Sequence, residues 1–535
     1  MTEQYILKEL CRYNIDTYAD VIYRNALLYP ENHAFVYKDK RVTFSEYNTR
    51  VNRLVNYLQK LGTKKGEVIG ILSYNCLEYA DFYGAAWKAG YIASPFNFRL
   101  QASELEYLIN YSEAKTLLVG PEFVETVNAM KTKISSVKNL VSVEGAAEGM
   151  VSMDEVLESE SAEEPDVRVE GKDCLAIVYT SGTTGRPRGA LYTQERFIDN
   201  TKNLVMEMGL QPGDKHIQIM PLFHIGGIHH FRAFLYIAGT NVIMHQRSFD
   251  PEATLQVIQD EKATDIDIVA THLVGMLAVP DLRKYDISGL RRMWYAASPM
   301  PVEVLKKGIE TWGPIFAQGY GQTETGPEIS DLNREDGKVV YSSPEEQAIL
   351  ASAGRPSLGV HVRVIDENTG DVGPGEMGEI IVQSKHLMVE YWKLPEDTGE
   401  TVKDGWVYTG DVGYYDSKGY VYIVDRRKDM IVSGGENIYP REIEEVLYGH
   451  PAVNEAAVIG IPDPYWVEKV HAVVSLRKDM TATGQEIIDF CKEKLARYKA
   501  PKSVEFVKEI PKNPSGKLLK RELRDKYWES SDRKI

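Results

Sequence analysis

The run Cys174-Leu175-Ala176-Ile177-Val178-Tyr179 is continuously apolar and ends directly on Thr180-Ser181-Gly182-Thr183-Thr184-Gly185-Arg186-Pro187-Arg188-Gly189. A strand apolar on both faces belongs inside a layered α/β domain, where elements packed on each side hide it from water. The glycines that follow permit positive φ and close backbone approach, so successive N–H groups can turn toward one polyphosphate. The hydroxyls of Thr180, Ser181, Thr183 and Thr184 add uncharged donors, and Arg186 and Arg188 can pair with phosphate oxygens. A polar surface hairpin would account for the glycines alone. It would not account for glycines, hydroxyls, arginines and a buried strand together. The loop lacks the Gly-Lys-Ser/Thr ending of a P-loop, so it implies nucleotide phosphate binding on another scaffold.

The same architecture recurs along the chain. Val68–Leu72, Leu117–Val119, Leu140–Val143, Ile266–Ala270 and Arg292–Ala296 are short apolar runs of the kind that form buried strands. Between the first of them lie helical patterns: Tyr47, Val51, Leu54 and Leu58, with Ser45 as the expected cap, and Glu78–Ala89. This alternation predicts α/β layers with parallel strands. Glu144–Glu170 is acidic and poor in large apolar residues, and reads as an exposed connection. Leu358–Val382 alternates Val/Ile with turn signals and predicts a small β-rich subdomain. The charged segment Asp425–Asp429 between two apolar strands is a candidate boundary. Beyond it the chain fits a compact module of usual domain size. The expectation is a large N-terminal domain of several subdomains, residues 1–427, and a small mobile C-terminal α+β domain, residues 428–535. The 535 residues are too many for one ordinary core.

Apolar and charged fractions of 43% and 26% are those of a globular, water-soluble protein. The net charge of −16 argues against general nucleic-acid binding. Basic residues nevertheless outnumber acidic ones from Lys492 onward, which suits either a solvated helical face or a module that meets a polyanionic small molecule. The most apolar stretch, Phe82–Phe98, contains Lys88 and Pro95 and is too interrupted to span a bilayer. The N-terminus carries no basic segment before an apolar run, so a cytoplasmic location is expected. Cys11, Cys76, Cys174 and Cys491 have no paired spacing and are expected to be reduced thiols, each packed as a small buried hydrophobe. His224, His229 and His230 have no carboxylate or cysteine at ligand spacing, so they imply no metal site, and His229 and His230 read chiefly as packing residues.

Tyr179–Gly189 resembles the signature loop of the adenylate-forming superfamily: acyl- and aryl-CoA synthetases, luciferases and adenylation domains of peptide synthetases. The resemblance continues in order through almost the whole chain. Pro221-Leu222-Phe223-His224 is similar to the next family motif, Tyr320-Gly321-Gln322-Thr323-Glu324-Thr325 to the adenine and magnesium motif, and Tyr408-Thr409-Gly410-Asp411 to the ribose motif. Asp425–Asp429 resembles the interdomain hinge, with Ser433-Gly434-Gly435-Glu436-Asn437 just after it, and Pro514-Ser515-Gly516-Lys517 resembles the catalytic-lysine motif.

The resemblance implies an AMP-forming acid–CoA ligase that uses ATP, Mg2+ and CoA. In that reading Lys517 bridges carboxylate and α-phosphate, Thr323 donates to the α-phosphate, and Glu324 is the Mg2+ ligand. Thr180, Ser181, Gly182, Thr183, Thr184, Gly185 and Arg188 hold the phosphates. Tyr320, Gly321 and Gln322, with Ala297, Ser298 and Pro299, form the adenine side, and Asp411 and Arg426 take the ribose. Lys428 is the hinge, while Ser433, Gly434, Gly435 and Trp466 meet the pantetheine arm and CoA. The acid is expected between His224, Ile225, Gly226, Gly227, Val269, His272, Gly319, Gly321 and Gly326. Glycines in those walls, with no tryptophan at Gly319–Gly321, suit an uncharged medium-chain, alicyclic or aromatic tail. Arg188 stands where the family commonly has lysine, and Val467 departs from its Trp-Gly-Glu element. An enzyme loading a separate carrier protein, and a non-catalytic acyl-nucleotide sensor, are the alternatives. A homodimer is a family-level expectation.

Overall fold

The computed structural model describes residues 6–180, 187–297, 300–426, 429–433, 436–463, 466–512 and 518–528. Among them four sheets carry the fold. The apolar strand of the phosphate loop, Cys174–Thr180, lies inside an eight-stranded sheet beside Ile92–Pro95, Val68–Leu72, Thr116–Val119 and Asn139–Ser142. Those strands pair in parallel, as the helix–strand alternation requires, whereas Arg188–Thr193 returns antiparallel to Cys174–Thr180. The two arms of that hairpin bring Thr180 opposite Arg188 at the sheet end.

A nine-stranded sheet stands beside it, with Phe316–Gln322, Arg292–Tyr295, Asp265–Ile268, Lys215–Gln218, Thr240–Ile243 and His33–Tyr37 parallel in that order. One face of its central strands carries Ile266, Ile268, Met293 and Tyr295 into a wholly apolar core. Helix Ile225–Tyr236 packs on the nine-stranded sheet and against helices Tyr18–Leu28 and Gln194–Met208, and it is hidden on nearly every side. Helix Leu77–Ala89 is buried along its entire length, including Lys88. Lys88 is accommodated by an ion pair with Glu164 and hydrogen bonds to Asn48 and Asn52.

Glu164 belongs to the acidic stretch expected to be an exposed connection, and that expectation is corrected here. Val151–Ser152 adds an edge strand, helix Met153–Ser159 buries Met153, Val156 and Leu157, and Glu164 docks on Lys88. The acidic composition concealed three anchoring apolar side chains and one buried ion pair. The helix over Tyr47–Leu58 starts at Phe44, and its cap is Thr43 in a reciprocal box with Glu46 rather than Ser45. Cys76 and Cys491 are buried as expected, but Cys174 is only partly buried and Cys11 is exposed; all four are free.

The β-rich expectation for Leu358–Val382 is met by an antiparallel sheet of Val360–Ile365, Gly378–Ser384, Trp406–Tyr415 and Val421–Arg426. The small C-terminal domain is a fourth sheet, in which Val453–Asp463 and Val467–Leu476 form a long hairpin and Ser503–Phe506 joins in parallel. Helices Pro440–Tyr448 and Gly484–Lys494 close its core. Among the described residues no helix is long and apolar enough to cross a membrane.

Candidate active site

The hairpin Phe316–Gln322 to Gly326–Leu332 ends beside the ribose-motif strand Trp406–Tyr415, and side chains from both meet. Tyr320 donates its hydroxyl to Asp411 Oδ2 at 2.7 Å, and Gln322 Nε2 donates to the same oxygen at 2.6 Å and to the Thr409 carbonyl at 3.0 Å. Asp411 is 3% exposed, and its own N–H is held by the Thr409 hydroxyl. In register it stands opposite Arg426. The adenine-motif and ribose-motif residues, about ninety positions apart in the chain by family reading, are therefore one hydrogen-bonded unit.

Thr323 is buried, and its carbonyl accepts the Tyr192 hydroxyl, which in turn accepts the Gly326 N–H at 2.9 Å. Glu324 accepts the Tyr391 hydroxyl at 2.7 Å. Burial and the Glu324 carboxylate together hold Tyr391 protonated far above its usual range, so it remains a donor. Arg188 lies over the Tyr391 ring at 4.3 Å and pairs with Asp397 at 3.2 Å. A guanidinium can stack and pair at once, which the ammonium of lysine cannot, so the departure at Arg188 is matched by its surroundings. Tyr192, Tyr391 and Asp397 carry no family signature and were not read from sequence. Only their contacts with Thr323, Glu324 and Arg188 reveal them.

Ala297 adopts φ +67°, a left-handed conformation that costs a residue with a Cβ roughly 1–2 kcal/mol. Thr180 Oγ1 is buried without a partner among the described atoms. Ser181, Gly182, Thr183, Thr184, Gly185, Ser298, Pro299, Lys428, Gly434, Gly435 and Lys517 lie outside the described residues. Ser433 is buried and Trp466 is 40% exposed.

On the acyl side His224 caps helix Ile225–Tyr236, its Nδ1 accepting the Gly226 N–H at 3.1 Å. Ile225 and Val269 are buried close by. His272 stacks on Phe249 at 4.1 Å and lines a small open cleft of about 50 Å³ with Asn75, Phe98, Arg99 and Met220. Burial, then the charges of Arg99 and Lys512, hold the His272 imidazole down to about 3, so it is neutral.

The glycine walls need correction. A Cβ on Gly319 would lie 2.2 Å from the Trp294 ring, on Gly227 2.2 Å from the Pro221 carbonyl, and on Gly321 2.4 Å from the Pro327 backbone. Those glycines serve close packing of the protein against itself and do not leave open space. Gly326 has φ +72° and faces His386. Only Gly226 borders some room. No tryptophan occurs at 319–321, yet Trp294 on the neighbouring strand reaches across and fills the position. The remaining surroundings are polar: His229, His230, Asp267 and Glu328 are all at most 4% exposed. Among the described residues no group of His, Cys, Asp and Glu is arranged to hold a metal by protein ligands alone.

With these contacts established, comparison places the chain. The family model for AMP-binding enzymes matches residues 22–392, and that for their C-terminal domain matches residues 442–517. The chain belongs to the AMP-binding, adenylate-forming enzymes. It is similar to a feruloyl-CoA synthase of Amycolatopsis, 36% identical over 94% of this chain and 98% of that protein. It is also similar to the long-chain-fatty-acid–CoA ligase FadD13 of Mycobacterium tuberculosis, 34% identical over 91% and 94%. Among solved structures, an anthranilate CoA ligase in complex with anthranoyl-AMP superposes with a TM-score of 0.89 at 26% identity, covering 97% of this chain and 98% of that one. This enzyme shares their architecture of a large N-terminal domain built on parallel sheets and a small C-terminal domain.

Proposed function

We propose that this acid–thiol ligase, working with ATP, Mg2+ and CoA, activates a compact carboxylic acid as its acyl-adenylate and then passes the acyl group to the CoA thiol. In the first step a carboxylate oxygen attacks the α-phosphorus and the bond to pyrophosphate breaks. In the second the thiolate attacks the acyl carbon and AMP leaves. Both steps join anions, so the enzyme's task is to concentrate donors and positive charge at the α-phosphate. The observation that carries this reading is the convergence of Tyr320 and Gln322 on Asp411, next to the Thr323–Glu324 turn and the Thr180–Arg188 hairpin end.

In this assignment Asp411 accepts both ribose hydroxyls with Arg426 beside it, and Tyr320 flanks the adenine with Ala297, Ser298 and Pro299. The loop from Thr180 to Gly185, with Arg188, cradles the phosphates, and Thr323 donates to the α-phosphate. Glu324, a hard oxygen donor already oriented by Tyr391, suits Mg2+ shared with phosphates. When bound, that ion supplies charge neutralisation at the phosphate oxygens. Lys517 bridges the carboxylate and the α-phosphate. Rotation of residues 428–535 about Lys428 withdraws Lys517 and brings Ser433, Gly434, Gly435 and Trp466 to the pantetheine path.

For the acid, Trp294 over Gly319 favours a ring or short chain over an extended one. Relatives named for feruloyl-CoA, indoleacetate and 2-succinylbenzoate favour an aromatic acid among medium-chain, alicyclic and aromatic candidates. Pyrophosphate release over a panel of acids, with and without CoA, tests the reading, and the absence of release with every acid contradicts it. Lys517→Ala is expected to abolish adenylate formation while leaving thioester formation from supplied acyl-AMP largely intact. Equal loss of both steps contradicts the two-pose assignment.

A further inference from the structure

A cleft of about 140 Å³ opens where the hairpin of strands His33–Tyr37 and Lys40–Thr43 meets the first turns of helices Leu77–Ala89 and Met153–Ser159. Its walls are Tyr37, Lys38 and Lys40 from the hairpin, Glu78 and Asp154 from the two helices, and Glu144 from the loop after strand Asn139–Ser142. None of them belongs to the residues assigned to ATP, CoA or the acid.

Most of the charges here are answered within the protein. Arg50 grips Asp81 through Nε at 3.0 Å and Nη2 at 2.5 Å, which leaves it 3.9 Å from Glu78 Oε1. Tyr37 donates to Glu144 Oε1 at 2.9 Å, and Lys38 stands 3.6 Å from the same oxygen. Burial holds the Tyr37 phenol far above its usual range, so it stays a donor. Asp154 Oδ2 accepts the Gly145 N–H at 3.1 Å. Two groups are not answered. Glu78 is 2% exposed, and its Oε2 makes no hydrogen bond among the described residues. Lys40 is exposed and has no hydrogen bond or ion pair there among the described residues; its charge reaches Glu78 only through space. Burial, then the neighbouring Asp81 carboxylate, push Glu78 up to about 7. A donor on Oε2 would draw it into the charged form. A buried polar atom without a partner asks what completes it, and here it borders a cleft.

What the walls repel defines the ligand. A bare metal ion would meet the ammoniums of Lys38 and Lys40, and among the described residues no group of His, Cys, Asp and Glu is arranged to hold one. A simple anion would meet Glu78, Glu144 and Asp154. A molecule with an ammonium and a carboxylate on one short carbon frame answers both open groups with charge-assisted hydrogen bonds. The cleft is too small for a nucleotide and ample for such a frame.

We propose that this cleft binds a small zwitterion of the α-amino-acid class, its ammonium donating to Glu78 and its carboxylate accepting from Lys40. The site stands apart from acid activation, and its occupation makes or breaks no covalent bond.

Calorimetric titration of the full chain with the natural L-amino acids tests it, with n-propylamine, propionate and Mg2+ as controls that carry one sign of charge. At least one amino acid is expected to bind, and every control to bind about tenfold more weakly or less. Glu78→Gln, which keeps the shape, and Lys40→Met are each expected to weaken that binding by about tenfold or more. Acid-dependent pyrophosphate release is expected to be unchanged in both. Lys40→Met changes an exposed side chain, so it carries the test alone should Glu78→Gln fail to fold. Binding of no amino acid, a control bound as tightly as the zwitterion, or full affinity in either folded variant overturns the inference. Competition of the amino acid with ATP overturns it too, by placing the ligand in the adenylating site.

Discussion

Asp265 and Asp267 sit two positions apart on one strand, project into the same layer, and meet opposite surroundings. Asp265 is gripped by Arg292 through Nε and Nη2, and Arg292 Nη2 also donates to Asp214 at 2.5 Å, with Arg291 on the other Asp214 oxygen. Among the described residues, the side chains that face Asp267 within 4 Å as ion-pair partners are the two imidazoles of His216 and His230. Burial of charge is common to both, so burial does not identify a functional group. The distinction is whether the chain itself supplies the partner. A carboxylate clamped by a buried guanidinium has its charge compensated within the chain, whereas one faced by imidazoles that burial keeps neutral does not.

The contrast can be broken most forcefully at Arg292. Arg292→Met strands the buried carboxylate of Asp265 and leaves Asp214 with Arg291 alone, so a loss of about 3–5 kcal/mol in urea unfolding is expected. A loss below about 1 kcal/mol would mean that the paired cluster is not the structural one. Asp267→Asn removes a carboxylate that no cation compensates, so stability is expected to stay within about 1 kcal/mol or to rise.

Titration sharpens the difference further. His216 and His230 hold pKa values near 4 in the folded state, below the ordinary 6.5, so the unfolded chain takes up protons first as pH falls. Stability is therefore lost between about pH 6.5 and 4. Asp267, raised from 3.8 to about 6, works in the opposite sense and gains stability as pH falls through 6. Two imidazoles against one carboxylate give a net loss. His230→Phe is expected to lessen the drop in urea midpoint between neutral pH and pH 5; an unchanged drop would place the titration elsewhere. The smallest effect is expected at Ala297, whose φ of +67° a glycine adopts freely. Ala297→Gly relieves backbone strain but raises unfolded-state entropy, so thermal unfolding should show a gain of no more than about 1 kcal/mol.

Much of the fold was legible because its strands are short apolar runs bounded by turns: Val68–Leu72, Thr116–Val119, Asp265–Ile268 and Arg292–Tyr295 fall where the pattern puts them. The ordered motifs likewise foretold which residues gather, as the Tyr320–Gln322–Asp411 unit illustrates. Contacts between neighbouring parallel strands were not legible. Nothing local to Gly319 says that Trp294 will lie against it, because the pairing of their strands is a property of the sheet. For the same reason His229 and His230 read as packing residues. The alternation Asp265-Ile266-Asp267-Ile268 was the available signal, since acidic side chains at every second position of a buried strand require partners or a ligand.

The central claim is that an acid is activated as its adenylate before CoA takes part. Acid-dependent exchange of labelled pyrophosphate into ATP, measured with Mg2+ and without CoA, tests it most directly. The account predicts exchange that needs the acid, proceeds without CoA and disappears in Lys517→Ala. Exchange that requires CoA, or turnover of ATP to ADP and phosphate, would contradict it.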